Sequence, residues 1–147
     1  MIKIFNIIKK IKNFFYKTAQ TKEYLQFISD GGDTLIFKNI ILNKDSVVID
    51  GGGFNGEFTD EILKKNFHKI YIYEPDTNFF NDLLEKYKFE EKIEVLNLAL
   101  FNKEQIITLS ENSNASSIME NSENGNKVKA VDIFNEFKKY KNIDLLK

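Results

Sequence analysis

Within Val47–Thr59, VVIDGGGFNGEFT, an apolar β-branched run ends in Asp50, a glycine-rich turn follows, and a helix-compatible segment begins. A strand end leading into a helix start can offer backbone N–H groups to a ligand, and glycine lets the chain turn through positive φ while the ligand touches the backbone. Gly51, Gly53 and Gly56 fit the G-x-G-x-x-G spacing, and Glu74 lies about 20 residues on, where an acid accepts from ribose hydroxyls. The stretch therefore predicts a nucleotide-type cofactor site. Two residues favour S-adenosylmethionine over NAD. Asp50 stands where an acid receives an ammonium, directly or through water, and would repel a pyrophosphate. Glu74 can accept from both ribose hydroxyls of an adenosine. The plainer alternative leaves Asp50 as a turn cap and Glu74 as a solvated strand end.

The flanking elements read as alternating strands and helices. Val47–Ile49 is a buried strand, because three consecutive β-branched apolar residues show no polar alternation. A helix follows over Glu57–Asn66, then a strand over Lys69–Tyr73, a helix over Asn78–Tyr87 and a strand over Ile93–Leu100. Short connections between such elements predict a three-layer α/β fold with an open parallel sheet and right-handed crossovers. Beyond it, Gln105–Leu109 is β-like, and Ser110–Asn126 is a polar loop whose length marks it as functional or disordered. Lys127–Val131 returns to a strand, Asp132 caps a helix over Ile133–Tyr140, and Asn142–Lys147 begins another buried strand.

Before the main strand, Lys22–Ser29 reads as a short helix stopped by Asp30-Gly31-Gly32-Asp33, and Thr34–Phe37 as extended. Met1–Tyr16 forms an amphipathic basic helix with Ile4, Ile7, Ile8, Ile11, Phe14 and Phe15 on one face. Its apolar stripe packs on the domain or on a second copy of the chain, giving a homodimer, or lies on an anionic membrane surface. The lysines interrupt any signal-peptide core, and the helix is too short and charged to span a bilayer, so the expected location is cytoplasmic or membrane-peripheral. The expected division is 1–30 as a helical extension and 31–147 as the amino-terminal portion of a catalytic domain.

At 147 residues, with 42% hydrophobic and 14% aromatic residues, the chain has material for one ordinary core. A net charge of −1, with the basic residues concentrated before Glu23, gives no nucleic-acid-binding face. The absence of cysteine excludes disulfides and thiolate metal sites, and His68 alone cannot hold a metal, so no metal is expected. His68 itself is expected at the surface.

From Gly32 to Lys147 the sequence resembles the FkbM-type S-adenosylmethionine-dependent O-methyltransferases, which belong to the Rossmann-like class I methyltransferases. The resemblance is carried by Ser46–Gly56 with Thr59, by Tyr73-Glu74-Pro75, by Asn97-Leu98-Ala99-Leu100, by Ala115-Ser116-Ser117, by Val131-Asp132 and by Ile143–Lys147. It implies that Asp50, Gly52 and Gly56 hold the methionine portion and Glu74 the ribose, with Gly53, Thr59 and Pro75 also among the cofactor-binding residues. Ala99 and Leu100 would border the adenine, with Ser116 or Ser117 approaching from the long loop. Asn55, one place later than the family's asparagine, stays a possible ligand. The resemblance further implies a sugar or glycan hydroxyl, or a small molecule, as methyl acceptor. The family's acid-bearing segment after the strand at Ile143–Lys147 lies beyond this sequence, so no catalytic base can be nominated. The expectation is an amino-terminal part of a longer methyltransferase domain. The other functional readings are a cofactor-binding or interaction fragment without catalysis, and an NAD(P)-binding oxidoreductase domain.

Overall fold

The computed structural model describes residues 22–27, 29–32, 34–109, 118–119 and 125–147, with side chains described for all of these except 34–36 and 118–119. The expected helix at Met1–Tyr16 and the residues Ser116 and Ser117 lie outside them. The chain divides into two compact units, Met1–Ile41 and Leu42–Lys147.

In the first unit residues 22–27 are helical and 30–32 form a turn. Helix α1 follows at Thr34–Asn39. This corrects the extended reading of Thr34–Phe37: β-branched and aromatic residues suit a strand only where another strand takes up their backbone groups, and a lone segment satisfies its own by coiling. No helix among the described residues is long and apolar enough to cross a membrane.

The second unit is α/β, with a parallel central sheet. It comprises β1 (Val47–Gly51), α2 (Glu57–Leu63), β2 (Lys69–Tyr73), α3 (Thr77–Lys86), β3 (Ile93–Leu96), β4 (Ala99–Phe101), β5 (Gln105–Leu109), β6 (Ile118–Met119), β7 (Asn126–Asp132), α4 (Ile133–Phe137) and β8 (Leu145–Leu146). The central sheet runs β3-β2-β1-β8, every pairing parallel, with Val48 opposite Ile70 and Leu145. In this register Val48, Asp50, Ile70 and Ile72 share one face, and Ile49, Tyr71 and Tyr73 the other. Ile49, Ile70, Ile72 and, from α3, Leu83 are all fully buried, and each such side chain contributes about 1.5–3 kcal/mol.

A second sheet, absent from the sequence reading, runs β4-β7-β5-β6, parallel between β4 and β7 and antiparallel elsewhere. The single strand expected at Ile93–Leu100 is divided between the two sheets. The Leu98 N–H donates to the Leu96 carbonyl at 2.9 Å, and Asn97 Nδ2 donates to the carbonyls of Glu74 and Pro75. That tight turn swings Ala99–Phe101 away from β2 and onto β7. Ile118–Met119, expected inside a loop, pairs with Thr108 and Leu109. Val131 of the second sheet packs with Ile49 and Tyr73 of the first, and Phe137 of α4 covers them. Asp132 does cap α4, accepting from the Asn135 N–H. Helices α2 and α4 are shorter than expected, and the one described histidine, His68, is exposed.

At Gly53 the turn lies directly against both the sheet and α3. A Cβ there would lie 2.3 Å from Ile72 Cγ2 and 2.8 Å from Leu83 Cδ1. Gly53→Ala is expected to destabilise the second unit by about 1–3 kcal/mol through overpacking, read as a lower urea midpoint with an unchanged slope.

Candidate functional site

The site is assembled where the parallel strands end. Asp50, next to last in β1, is fully buried. Its Oδ2 accepts from Thr59 Oγ1 of α2 at 2.9 Å, and its Oδ1 accepts from Lys147 Nζ at 2.9 Å. Burial raises its pKa, and the Lys147 ammonium and the Thr59 hydroxyl oppose that rise without cancelling it. Thr59 is itself fully buried, which makes it a support for Asp50. Lys147 Nζ also donates to the Gly52 carbonyl at 2.8 Å and stands 5.4 Å from the Phe58 ring centroid. The strand pairing brings it there: the Lys147 N–H donates to the Ile49 carbonyl, and the Gly51 N–H donates to the Lys147 carbonyl.

The glycine turn has its own division of labour. Gly52 has φ +93, and among the described residues, its chain neighbours aside, no atom lies within 4 Å of where a Cβ would stand, which leaves the backbone open on that side. Gly56, at φ +84, is the N-cap of α2; its carbonyl lies 2.9 Å from the Tyr87 hydroxyl, and a Cβ would collide with that oxygen. Much of the turn's N–H capacity is already engaged. Gly52 donates to the Tyr73 carbonyl, Gly56 to the Gly53 carbonyl, and Phe54 to Glu74 Oε2 at 2.8 Å. The helix start is acidic, with Glu57 and Asp60 in the first turn of α2. Asn55 turns its side chain back to Glu57, and its carbonyl accepts from Lys86, which also pairs with Asp60 at 2.7 Å.

Glu74 follows β2 and is 5% exposed. Its oxygens each accept one backbone N–H, from Phe54 and from Asp76. An ionised carboxylate has about four lone-pair positions, so one remains on each oxygen for a pair of hydroxyl donors. Desolvation raises its pKa, the two N–H donors lower it, and the nearby Asp76 and Asp50 add to the rise. Phe54 holds the left-handed region at φ 48, a strain of about 1–3 kcal/mol, and its ring meets Phe79 edge-on at 4.6 Å.

The other expected residues fall as follows. Pro75 is half-buried, its carbonyl held by Asn97. Ala99 is buried in the core of the second sheet with Ile107, Leu109, Val128 and Ala130. Leu100 belongs to the cluster around Ile49 and Tyr73, and its Cδ1 lies 3.4 Å from where a Gly51 Cβ would stand. Ser117 lies outside the described residues. The resemblance gives Lys147, Asn97 and Phe54 no role. Their parts depend on partners distant in sequence, and only the motif spacing hinted at them.

No protein-family model matches the chain, and no curated protein matches it. Among solved structures it is similar to a methyltransferase FkbM from Methylobacillus flagellatus KT, at 14% identity and TM-score 0.44, over 65% of this chain and 24% of that one. It is also similar to the 23S rRNA methyltransferase ErmE, at 22% identity and TM-score 0.38, over 46% and 34% of the two chains. An rRNA methylase from Streptococcus thermophilus is similar at 15% identity and TM-score 0.36, over 50% of each. The chain thus spans between a quarter and a half of the length of these structures. All three are methyltransferases; TM-scores this low leave function to rest on the chain's own residues.

Glu74 titrates above its ordinary 4.5 in the folded chain. A raised carboxyl binds its proton more tightly when folded, so its contribution to stability is full below the unfolded value and is lost as pH rises through the folded one. In urea titrations from about pH 7 to about pH 5, unaltered protein is expected to gain stability relative to Glu74→Gln. A constant difference would place Glu74 at its ordinary value.

Proposed function

We propose that this chain binds S-adenosylmethionine and forms the cofactor-holding part of a methyltransferase. The observation that carries the proposal is the state of the glycine turn. The N–H groups of Gly52, Phe54 and Gly56 are engaged within the protein, and Glu57 and Asp60 occupy the helix start. A pyrophosphate needs free N–H donors and a positive helix end, so a dinucleotide is poorly served here. A nucleoside is well served, because Glu74 keeps acceptor capacity for two ribose hydroxyls beside the open backbone at Gly52.

The residues fit that cofactor in kind: an acceptor for the diol, room at Gly52 and a buried ion pair beside it. When bound, the sulfonium supplies an electrophilic methyl group. The protein's share is alignment, since Phe54 and Asp76 fix the Glu74 carboxylate and Thr59 and Lys147 fix Asp50, so the nucleoside would meet a prearranged surface. Membership of the FkbM type, and a sugar or glycan hydroxyl as acceptor, belong to the proposal on the strength of the sequence resemblance.

Calorimetric titration with S-adenosylhomocysteine and with NAD is the test. Binding of the former without the latter is expected, and stabilisation by NAD alone would overturn the reading. Glu74→Gln should weaken S-adenosylhomocysteine about tenfold, the loss of one hydrogen bond to a charged acceptor. Affinity of the unaltered chain should fall on acidification, as protonation turns one Glu74 oxygen into a donor and weakens the carboxyl as an acceptor.

A further inference from the structure

Asp50 is fully buried, one oxygen taken by Thr59 and the other by Lys147, so a ligand arriving at the turn does not meet its carboxylate. It meets Lys147, whose side chain is 42% exposed. An ammonium has three N–H donors. Two are directed at Asp50 Oδ1 and the Gly52 carbonyl, at 2.9 and 2.8 Å, which leaves one for a group outside. The backbone beside it, at Gly52, has no atom of the described residues, its chain neighbours aside, within 4 Å of its Cβ position. Lys86 is held in the same way, by Asp60 and the Asn55 carbonyl, but it stands with Tyr87 against Gly56, where a Cβ would meet both, whereas Lys147 borders the open backbone at Gly52.

We propose that Lys147, held by Asp50 and the Gly52 carbonyl, is the seat for the carboxylate of the ligand's amino-acid portion. The inference rests on the S-adenosylmethionine reading and adds to it a residue that fixes the far end of the cofactor. Electrostatics favour the assignment. Glu57 and Glu74 flank the turn and repel a carboxylate, so an anionic group settles only against a cation, and Lys147 is fixed in place before the ligand arrives. The buried Asp50 then serves as the anchor of the lysine and has no direct ligand contact.

The test compares S-adenosylhomocysteine with 5′-methylthioadenosine, which keeps the nucleoside and lacks the amino-acid portion. Lys147→Met is expected to weaken S-adenosylhomocysteine about tenfold, the scale of one charge-assisted hydrogen bond, and to leave methylthioadenosine unchanged. Because Lys147→Met strands a buried charge, the double variant Asp50→Asn, Lys147→Met supplies a neutral pair. If Lys147 only neutralises Asp50, the double variant recovers full affinity for S-adenosylhomocysteine and the proposal falls. If Lys147 seats the carboxylate, the deficit persists. Unchanged or tighter S-adenosylhomocysteine binding by Lys147→Met also overturns it. Failure of the unaltered chain to bind either nucleoside would overturn the cofactor reading, and this assignment with it.

Discussion

A carboxylate taken completely out of water costs several kcal/mol unless charge and hydrogen bonds meet it, and Asp50 imposes that condition on everything around it. Its two answers come from different distances along the chain, Thr59 on the first helix after the turn and Lys147 directly after β8. The ion pair therefore does more than balance charge: it locks α2 and β8 to the same point of β1. The strand contacts around it are continuous, with Asp144 accepting from the Val47 N–H at one end and Lys147 bonded to Ile49 and Gly51 at the other. Removing either answer leaves a buried anion and loosens two elements together.

The same economy governs the glycine turn. Its glycines serve packing and turning: Gly53 admits Ile72 and Leu83, and Gly56 admits the Tyr87 hydroxyl that ties α3 to the start of α2. With N–H groups of the turn bonded internally, it faces outward as a shaped surface edged by carboxylates. Its side-chain groups are carboxylates and the Lys147 ammonium, the reverse of a phosphate cradle built from backbone N–H donors. Phe54 connects the two functions, since its strained backbone aims one N–H at Glu74 and its ring lies against Phe79.

Local pattern was enough to find β1, β2 and β5, because their residues are apolar, β-branched or aromatic, and bounded by turn signals. The Asp132 cap was legible for a similar reason: an acid directly before a helical stretch satisfies its first N–H groups. What stayed hidden depended on partners far along the chain. The division at Asn97-Leu98 follows from an amide side chain reaching back to Glu74 and Pro75, and the second sheet from a pairing between Gln105–Leu109 and Asn126–Ala130 that alternation alone does not specify. At the site, motif spacing paired the turn with Glu74, whereas the groups that hold Asp50, Thr59 nine residues on and Lys147 97 residues on, are set by the fold.

The distance along the chain between the members of the ion pair has a consequence for the order of folding. Glu74 and Phe54 are 20 residues apart, and Asp50 and Lys147 are 97 apart. Loop-closure entropy makes the longer contact costlier by about 1.4 kcal/mol, so the β1-α2-β2-α3-β3 run can form from near neighbours before β8 docks. The Glu74 end of the site is then a product of early, local structure, and the Lys147 ammonium is brought in by a more distant closure. A chain in which β8 has not docked carries the Glu74 carboxylate held by Phe54 and lacks the ammonium beside Asp50.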